Sequence, residues 1–150
     1  MILSQFRKTH LPIFHVQHLA LRPGSTFFLP GTVGVDIHSM VAPCDEETVV
    51  QKHYPNSFRD TQLQDILARE KISELIICGA MSHMCIDATT RAAFDIGLDC
   101  TVVEDACATR DLVFRGGTIR ASDVHGAFMA ALSIPYATVV TASDLVAETT

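Results

Sequence analysis

Residues 74–97 of the chain, ELIICGAMSHMCIDATTRAAFDIG, decide the fold. The first part, Glu74 to Gly79, is a nearly continuous apolar run, which is typical of a parallel strand covered on both faces. From about His83 to Ile96 apolar side chains recur every four residues, which predicts an amphipathic helix. Gly97 is placed to end that helix. The stretch therefore predicts a buried strand, a short turn and a helix.

Strand and helix signals alternate along the rest of the chain. Further strands are predicted at Pro12 to His18, Thr48 to Lys52, Leu98 to Glu104 and Tyr136 to Thr141. Thr61 and Gln64 resemble a capping box ahead of one helix, and Ser122 is placed to cap another. The long polar connection from Arg22 to Met40 has a length that often marks a functional loop. The alternation predicts an α/β fold with a parallel sheet, in which ligands bind beyond the C-terminal ends of the strands.

Composition narrows the class of protein. A chain of 150 residues with 48% hydrophobic residues has the size and composition of one compact domain, and we expect a single domain over residues 1–150. The net charge of −6 argues against a nucleic-acid partner or an anionic membrane, because both require a basic face. The longest apolar run, Leu75 to Met81, is far too short to span a bilayer. With five cysteines and no signal peptide pattern, we expect reduced thiols in the cytoplasm.

Cys85 opens the helix that follows the buried strand. Unpaired backbone N–H groups and the positive end of the helix dipole favour an anion there, so a thiol at that position is suited to act as a nucleophile. The same N–H groups can stabilise an oxyanion on an attacked carbonyl group. Position alone leaves a buried structural cysteine as the alternative. We accept that alternative for the other cysteines, namely Cys44, Cys78, Cys100 and Cys107.

Lys52 ends a predicted strand, so its side chain can reach over the C-terminal edge of the sheet. A cation there would favour a thiolate, and the alternative is an ordinary solvated surface lysine. Four aromatic residues could wall a pocket over Cys85, or could equally pack in the core: Phe27, Phe28, Tyr54 and Phe58. If they line a pocket, they favour a small and partly apolar substrate.

Three motifs together resemble the isochorismatase-like cysteine hydrolase family. The segment Leu75 to Gly97 is similar to the family's cysteine signature, and KHYPNSF, residues 52–58, resembles its lysine motif. The segment VVEDACAT, residues 102–109, resembles the strand and loop that follow. The similarity extends from Met1 to about Leu145. It implies a three-layer α/β/α fold with a parallel, Rossmann-like sheet.

The resemblance also implies roles for individual residues. Cys85 matches the nucleophile and Lys52 the catalytic lysine. The Ala80–Met81 bond matches a non-proline cis peptide, and the backbone N–H groups of Met81 and Cys85 match the oxyanion hole. The implied activity is hydrolysis of an amide or related C–N bond of a small molecule through a Cys85 thioester. Family isochorismatases cleave a vinyl ether without needing the cysteine, so Cys85 favours amide chemistry. Relatives commonly assemble, which implies a homo-oligomer.

The family's third catalytic residue, an aspartate, has no match in Met1 to His10. In the family it ends the first strand, which is central in the sheet, whereas this chain starts inside the helix that follows. We expect that the natural protein is longer and that this sequence is truncated at its N-terminus. The alternatives are a strand donated by a second chain, or an inactive fold. Asp105 is the one substitute candidate for the base, although a loop-capping carboxylate is the preferred interpretation.

Two other functions compete with the hydrolase. The missing aspartate would suit a non-catalytic binding or assembly module, and a thiol redox protein is disfavoured because Cys85 has no obvious resolving cysteine. Neither a dinucleotide fingerprint nor a P-loop occurs, so we expect no cofactor. We also expect no metal, since His15 and His18 point to opposite faces of their strand. His83 is interpreted as a rim residue and His125 as helix surface.

Overall fold

The structure, a computed structural model, describes residues 1–148. Five α-helices are present in that range: α1 (Ile2–Lys8), α2 (Leu63–Arg69), α3 (Asp87–Asp95), α4 (Ala121–Leu132) and α5 (Ala142–Glu148). The strands are β1 (Phe14–His18), β2 (Thr48–Lys52), β3 (Glu74–Ala80), β4 (Asp99–Ala108), β5 (Leu112–Phe114), β6 (Gly117–Ile119) and β7 (Thr138–Val140). A π-helical turn, Ser82–Ile86, separates β3 from α3. Short 3₁₀ turns lie at Val33–Val35 and Ser39–Val41 in the long early connection.

The strands form two parallel sheets and one hairpin. β1 pairs with β2, and the second sheet has the order β3-β4-β7. β5 and β6 form an antiparallel hairpin. Within residues 1–148 no strand joins β1 to β3. A further strand between these two edges, which the resemblance implies, stays a prediction.

Helices α2 and α4, together with the π-helical turn, pack against one face of the sheets. Leu63 and Leu67 of α2 form a buried cluster with Val50 of β2, and Phe14 of β1 and Leu75 of β3 pack against it. Helix α2 therefore contacts both sheets, which is how apolar burial holds them together. Beside it, α4 and the π-helical turn bury a second cluster against the larger sheet, formed by Ile86, Val102, Met129 and Leu132.

The opposite face of the larger sheet is covered as well. Val103 points away from Val102, because side chains alternate along a strand, and both are fully buried. Helix α5 contacts β4, and α1 contacts α5. The fold is therefore α/β with parallel sheets between helices, as the sequence predicts. In the described part of the chain, none of the helices has the length and hydrophobicity needed to cross a bilayer.

Most predicted strands and helices are confirmed with shifts at their ends. Two expectations are wrong: no residue of β3 is fully buried, and the helix expected from about His83 is α-helical only from Asp87, because a π-helical turn that contains Cys85 precedes it. Gly97 has a φ of 86° and follows the last turn of α3, where its N–H donates to the Phe94 carbonyl at 2.9 Å. The prediction that Ser122 caps α4 is wrong: the helix begins at Ala121, whose N–H donates to Asp111 Oδ1 at 2.7 Å. Thr61 Oγ1 accepts from the Leu63 N–H at 3.3 Å, so it contributes to the start of α2 without a full capping box. The β5–β6 hairpin and α5 had no predicted counterpart.

Candidate active site

Cys85 lies in the π-helical turn at the C-terminal end of β3. The Met81 carbonyl accepts from the N–H groups of Met84 at 2.9 Å and Ile86 at 3.3 Å, which closes the turn on the strand end. Gly79 has a φ of 130°, a backbone conformation that favours glycine, and it lets the strand bend at this point. The Ala80–Met81 peptide bond is cis. Met81 directly precedes the turn, Cys85 is its fourth residue, and the Cys85 side chain is partly buried.

Lys52, the last residue of β2, is brought next to Cys85. Its side chain is only 3% exposed, and its ammonium group donates to the Pro55 carbonyl. Burial lowers the pKa of Lys52, and the adjacent Cys85 thiol opposes that effect. A cation held this close to a sulfur favours the thiolate over the thiol. The two residues that the sequence singles out from separate motifs are thus neighbours across the two sheets.

The loop after Lys52 is fixed to α3 by two hydroxyl groups. The N–H of Ser57 donates to Thr89 Oγ1 at 3.1 Å, and the two hydroxyl oxygens lie 2.9 Å apart. Thr89 Oγ1 also donates to the Pro55 carbonyl at 3.3 Å, the same oxygen that Lys52 contacts. Neither Ser57 nor Thr89 is among the residues that the sequence predicts for the site. Both are buried, so this contact sets the position of Lys52 relative to the helix that follows Cys85.

A second polar cluster lies beside the π-helical turn. Ser82 is fully buried, and its hydroxyl group hydrogen bonds with His125 Nδ1 at 2.9 Å and with the Ala108 carbonyl at 3.3 Å. The interpretation of His125 as ordinary helix surface is therefore wrong, because it faces the turn from α4. His83 hydrogen bonds through Nδ1 with Thr109 Oγ1 at 2.6 Å, which ties the turn to the end of β4.

Two of the predicted pocket residues lie over the end of β1. The Phe28 ring packs on the His18 ring with centroids 5.4 Å apart, and Phe27 meets Phe28 edge-on at 5.1 Å. The Ala20 N–H donates to the Phe28 carbonyl at 2.8 Å, so the early loop folds back onto β1. This loop therefore closes over the strand end that lies beside Lys52.

The other two predicted pocket residues have different surroundings. The Tyr54 ring has the guanidinium groups of Arg22 and Arg59 over it, at 5.3 and 3.7 Å from the ring centroid. Phe58 packs against the buried cluster of α2, which includes Leu63. Phe58 thus has the contacts that core packing requires, whereas Tyr54 links the lysine loop to the early loop through Arg22.

Two further expectations concern carboxylates and metals. Asp105 Oδ1 accepts from the Ala142 N–H at 2.7 Å, at the first residue of α5. It therefore acts as a capping carboxylate, in agreement with the preferred interpretation of its sequence position. No group of three or more His, Cys, Asp and Glu side chains within the described residues is arranged to hold a metal ion.

Comparison with known proteins connects this site to a family. Residues 1–144 match the family described as Isochorismatase domain. The uncharacterized isochorismatase family protein YddQ of Bacillus subtilis is 53% identical over 140 residues, covering 93% of this chain and 78% of that protein. A streptothricin hydrolase of Streptomyces noursei is 36% identical over 111 residues, covering 74% of this chain and 43% of that protein.

A solved structure has the same fold. The crystal structure of an isochorismatase from Pseudomonas putida superimposes with a TM-score of 0.89 at 37% sequence identity. The superposition covers 95% of this chain and 73% of that one. The family match over nearly the whole chain, together with these relatives, shows that the chain belongs to the isochorismatase family of hydrolases.

Proposed function

We propose that this protein hydrolyses an amide or related C–N bond of a small molecule through a thioester on Cys85. The observation that carries the proposal is the pairing of the partly buried Cys85 with the buried cation of Lys52. A buried ammonium group without a partner destabilises a fold. A buried lysine is therefore expected next to a group that can carry a negative charge. A thiolate on Cys85 is the anion that this arrangement favours.

The proposed reaction has two stages. The thiolate attacks the substrate carbonyl carbon, an S–C bond forms, and the backbone N–H groups of Met81 and Cys85 donate to the oxyanion. The tetrahedral intermediate then releases the amine with a proton as the C–N bond breaks. Water attacks the remaining thioester, which yields the carboxylic acid and returns the thiol. Lys52 stabilises the negative charge on sulfur at the start and end of this cycle.

A general base for the thiol proton completes the proposal. The hydrogen bonds found within residues 1–148 join no carboxylate to Cys85 or Lys52. The aspartate that the resemblance implies would meet both residues if it ended a strand placed between β1 and β3. We place the general base at the end of such a strand.

Several observations favour this reaction over its alternatives. Membership of a hydrolase family disfavours the binding-module alternative. The similarity to a streptothricin hydrolase supports a small-molecule substrate. Cleavage of a vinyl ether, which the family's isochorismatases perform, does not use a cysteine nucleophile, so it would leave Cys85 and its buried cation without a role.

Substitution of the nucleophile tests the proposal. Hydrolysis is measured as amine or ammonia release from a panel of small amides, with streptothricin included. Cys85→Ala is expected to lower kcat/KM by at least about 10³-fold, because no covalent intermediate can form. Cys44→Ala is the matched control, since Cys44 is exposed and its N–H donates to Glu47, which precedes β2, whereas Lys52 ends that strand; the variant should retain wild-type activity. Hydrolysis that survives in Cys85→Ala would contradict the thioester mechanism.

Alkylation by iodoacetamide tests the activation of the sulfur without a known substrate. Cys44 and Cys78 are more exposed than Cys85, so accessibility alone predicts that they react first. The proposal predicts the reverse order, with Cys85 labelled fastest at pH 7, because the thiolate is the reactive form. The labelled cysteines are identified by peptide mass spectrometry. Uniform slow labelling would support the binding-module alternative.

A further inference from the structure

His18 lies directly beside Lys52. It is the last residue of β1, and the parallel register pairs His18 with Lys52 and Val16 with Val50. Side chains alternate between faces along a strand, so His18 and Lys52 share the face on which Val50 packs against α2. The imidazole is thus placed next to the cation of the candidate active site.

The ring of His18 is held in one place by the early loop. The Leu19 N–H donates to the Lys52 carbonyl at 2.9 Å and extends the pairing of β1 with β2 past His18. Phe28 packs on the imidazole and has a φ of 56°, a left-handed conformation that a residue other than glycine rarely adopts. The Phe28 ring is therefore held over His18 although the backbone conformation of Phe28 is unfavourable for a residue with a side chain.

The Nδ1 atom of His18 is buried and has no hydrogen-bond partner within the described residues. Buried polar atoms are normally paired, so such an atom requires an explanation. The other partly or fully buried histidines all have a partner for a ring nitrogen, as seen for His15, His53, His83 and His125. Burial, followed by the charge of Lys52, lowers the pKa of His18, which favours the neutral ring.

We propose that His18 is a substrate-binding residue, whose Nδ1 atom hydrogen bonds an uncharged polar group of the substrate, such as an amide or hydroxyl group, next to the bond that Cys85 attacks. The inference rests on the proposed function and adds to it a determinant of substrate choice. A neutral imidazole under Phe28 would orient the substrate over Cys85 without exchanging a proton with it. Substrates that lack a polar group at this position would leave Nδ1 buried and unpaired, and would bind more weakly.

Kinetic constants on an amide that the wild-type protein hydrolyses test this role. His18→Leu, which removes both ring nitrogens, is expected to raise KM about tenfold and to leave kcat within about threefold, because the lost hydrogen bond serves binding. His18→Asn places a polar group near the Nδ1 position and should recover most of the affinity. His10→Asn is the control, because His10 is exposed and already has a φ of 56°, which asparagine tolerates. An unchanged KM in His18→Leu, or loss of kcat alone, would overturn the proposal.

A spectroscopic test separates this inference from the proposed function. Iodoacetamide converts Cys85 into a thioether that carries a primary amide, which occupies the site without any substrate. In ¹⁵N-histidine-labelled protein, the ring nitrogen signals of His18 should then shift while those of His10 stay in place. A labelled Cys85 with unmoved His18 signals would refute the role of His18 alone. Failure to label Cys85 preferentially would refute the proposed function, and with it this inference.

Discussion

The two parallel sheets differ in how completely they are buried. In the larger sheet, Val102 and Val103 of β4 are both fully buried, one on each face. In the smaller sheet, Val16 of β1 and Val49 of β2 are each 41% exposed. Each sheet nevertheless supplies one member of the candidate site, since Cys85 follows β3 and Lys52 ends β2. Cys85 therefore follows a strand that has no fully buried residue, although its neighbour β4 is buried on both faces, whereas Lys52 is itself buried at the end of the less covered sheet.

The contacts between the two sheets decide whether the site forms. Among the described residues these contacts are made by side chains, since no ladder of backbone hydrogen bonds joins β1 to β3. Leu67 belongs to the cluster that Phe14 and Leu75 pack against from the two sheets. The hydrogen bonds between Ser57 and Thr89 lie closer to the site. The distance between Cys85 and Lys52 thus depends on a small set of packed residues.

Among the changes that separate the roles of the two sheets, removal of the Lys52 cation is expected to have the largest effect on activity. Lys52→Met keeps the apolar stem but removes the ammonium group, and it should lower kcat/KM by about 10²–10³-fold, in the range found when one electrostatic contact in an active site is lost. Stability should be unchanged or raised, because burial disfavours the charged lysine in the folded protein. Activity and Tm measured on the same samples check both halves of the prediction.

Lys8→Met is the matched control for that variant. Lys8 is exposed in the last turn of α1, and its loss should change neither activity nor Tm appreciably. Full activity in Lys52→Met would show that the cation beside Cys85 is structural. A large drop in Tm with lost activity would show that Lys52 stabilises the smaller sheet.

Two leucine variants test whether the sheets depend on each other. Leu132 is fully buried against the larger sheet, and Leu67 is 2% exposed between the two sheets. Leu→Ala at either position should lower the free energy of unfolding by about 2–5 kcal/mol, measured in urea. Only Leu67→Ala should also reduce kcat/KM at temperatures well below its Tm, because it loosens the contact that places Lys52 near Cys85. A larger loss of activity in Leu132→Ala would contradict the proposed coupling.

The elements that the sequence predicts well are those with local signals. The apolar run of β3 is continuous, and Gly97 has the positive φ that its place at the helix end requires. The β5–β6 hairpin lacks such a signal. Its turn residues Arg115 and Gly116 have φ values of 50° and 79°, a pattern that usually selects Asn-Gly or Asp-Gly. Because Arg115 occupies the first position of the turn, where Asn or Asp is usual, the sequence does not predict this hairpin.

The parts of the site that the sequence does not reveal depend on contacts between distant segments. Ser82 and His125 are 43 residues apart, and nothing in either segment indicates that they meet. The position of His18 beside Lys52 follows from the pairing of β1 with β2 and its register. The alternation of side chains along β1 is visible in the sequence, but the register that turns it into a site is not. Cys85 and Lys52 could be predicted from the sequence because each lies within a recognisable motif.

The smallest predicted effect on stability concerns Glu47, at the N-terminal end of the strands of the smaller sheet. Glu47 accepts hydrogen bonds from Arg7 at 2.7 and 2.8 Å, hydrogen bonds with His15 at 2.7 Å, and accepts from the Cys44 N–H. The hydrogen bond with Arg7 is the main reason that the pKa of Glu47 is held well below its ordinary value of 4.5. A carboxylate with a lowered pKa in the folded state stabilises the protein above its ordinary pKa, and the stabilisation is lost as pH falls below it. Glu47→Gln should therefore lower Tm at pH 7, and the difference from wild type should shrink below about pH 4.5, while the exposed Glu46→Gln control shows no such trend. A constant difference in Tm across that range would assign the effect to packing. A difference that disappears at low pH would show that charge stabilises the N-terminal end of the smaller sheet, whereas apolar contacts connect that sheet to the larger one.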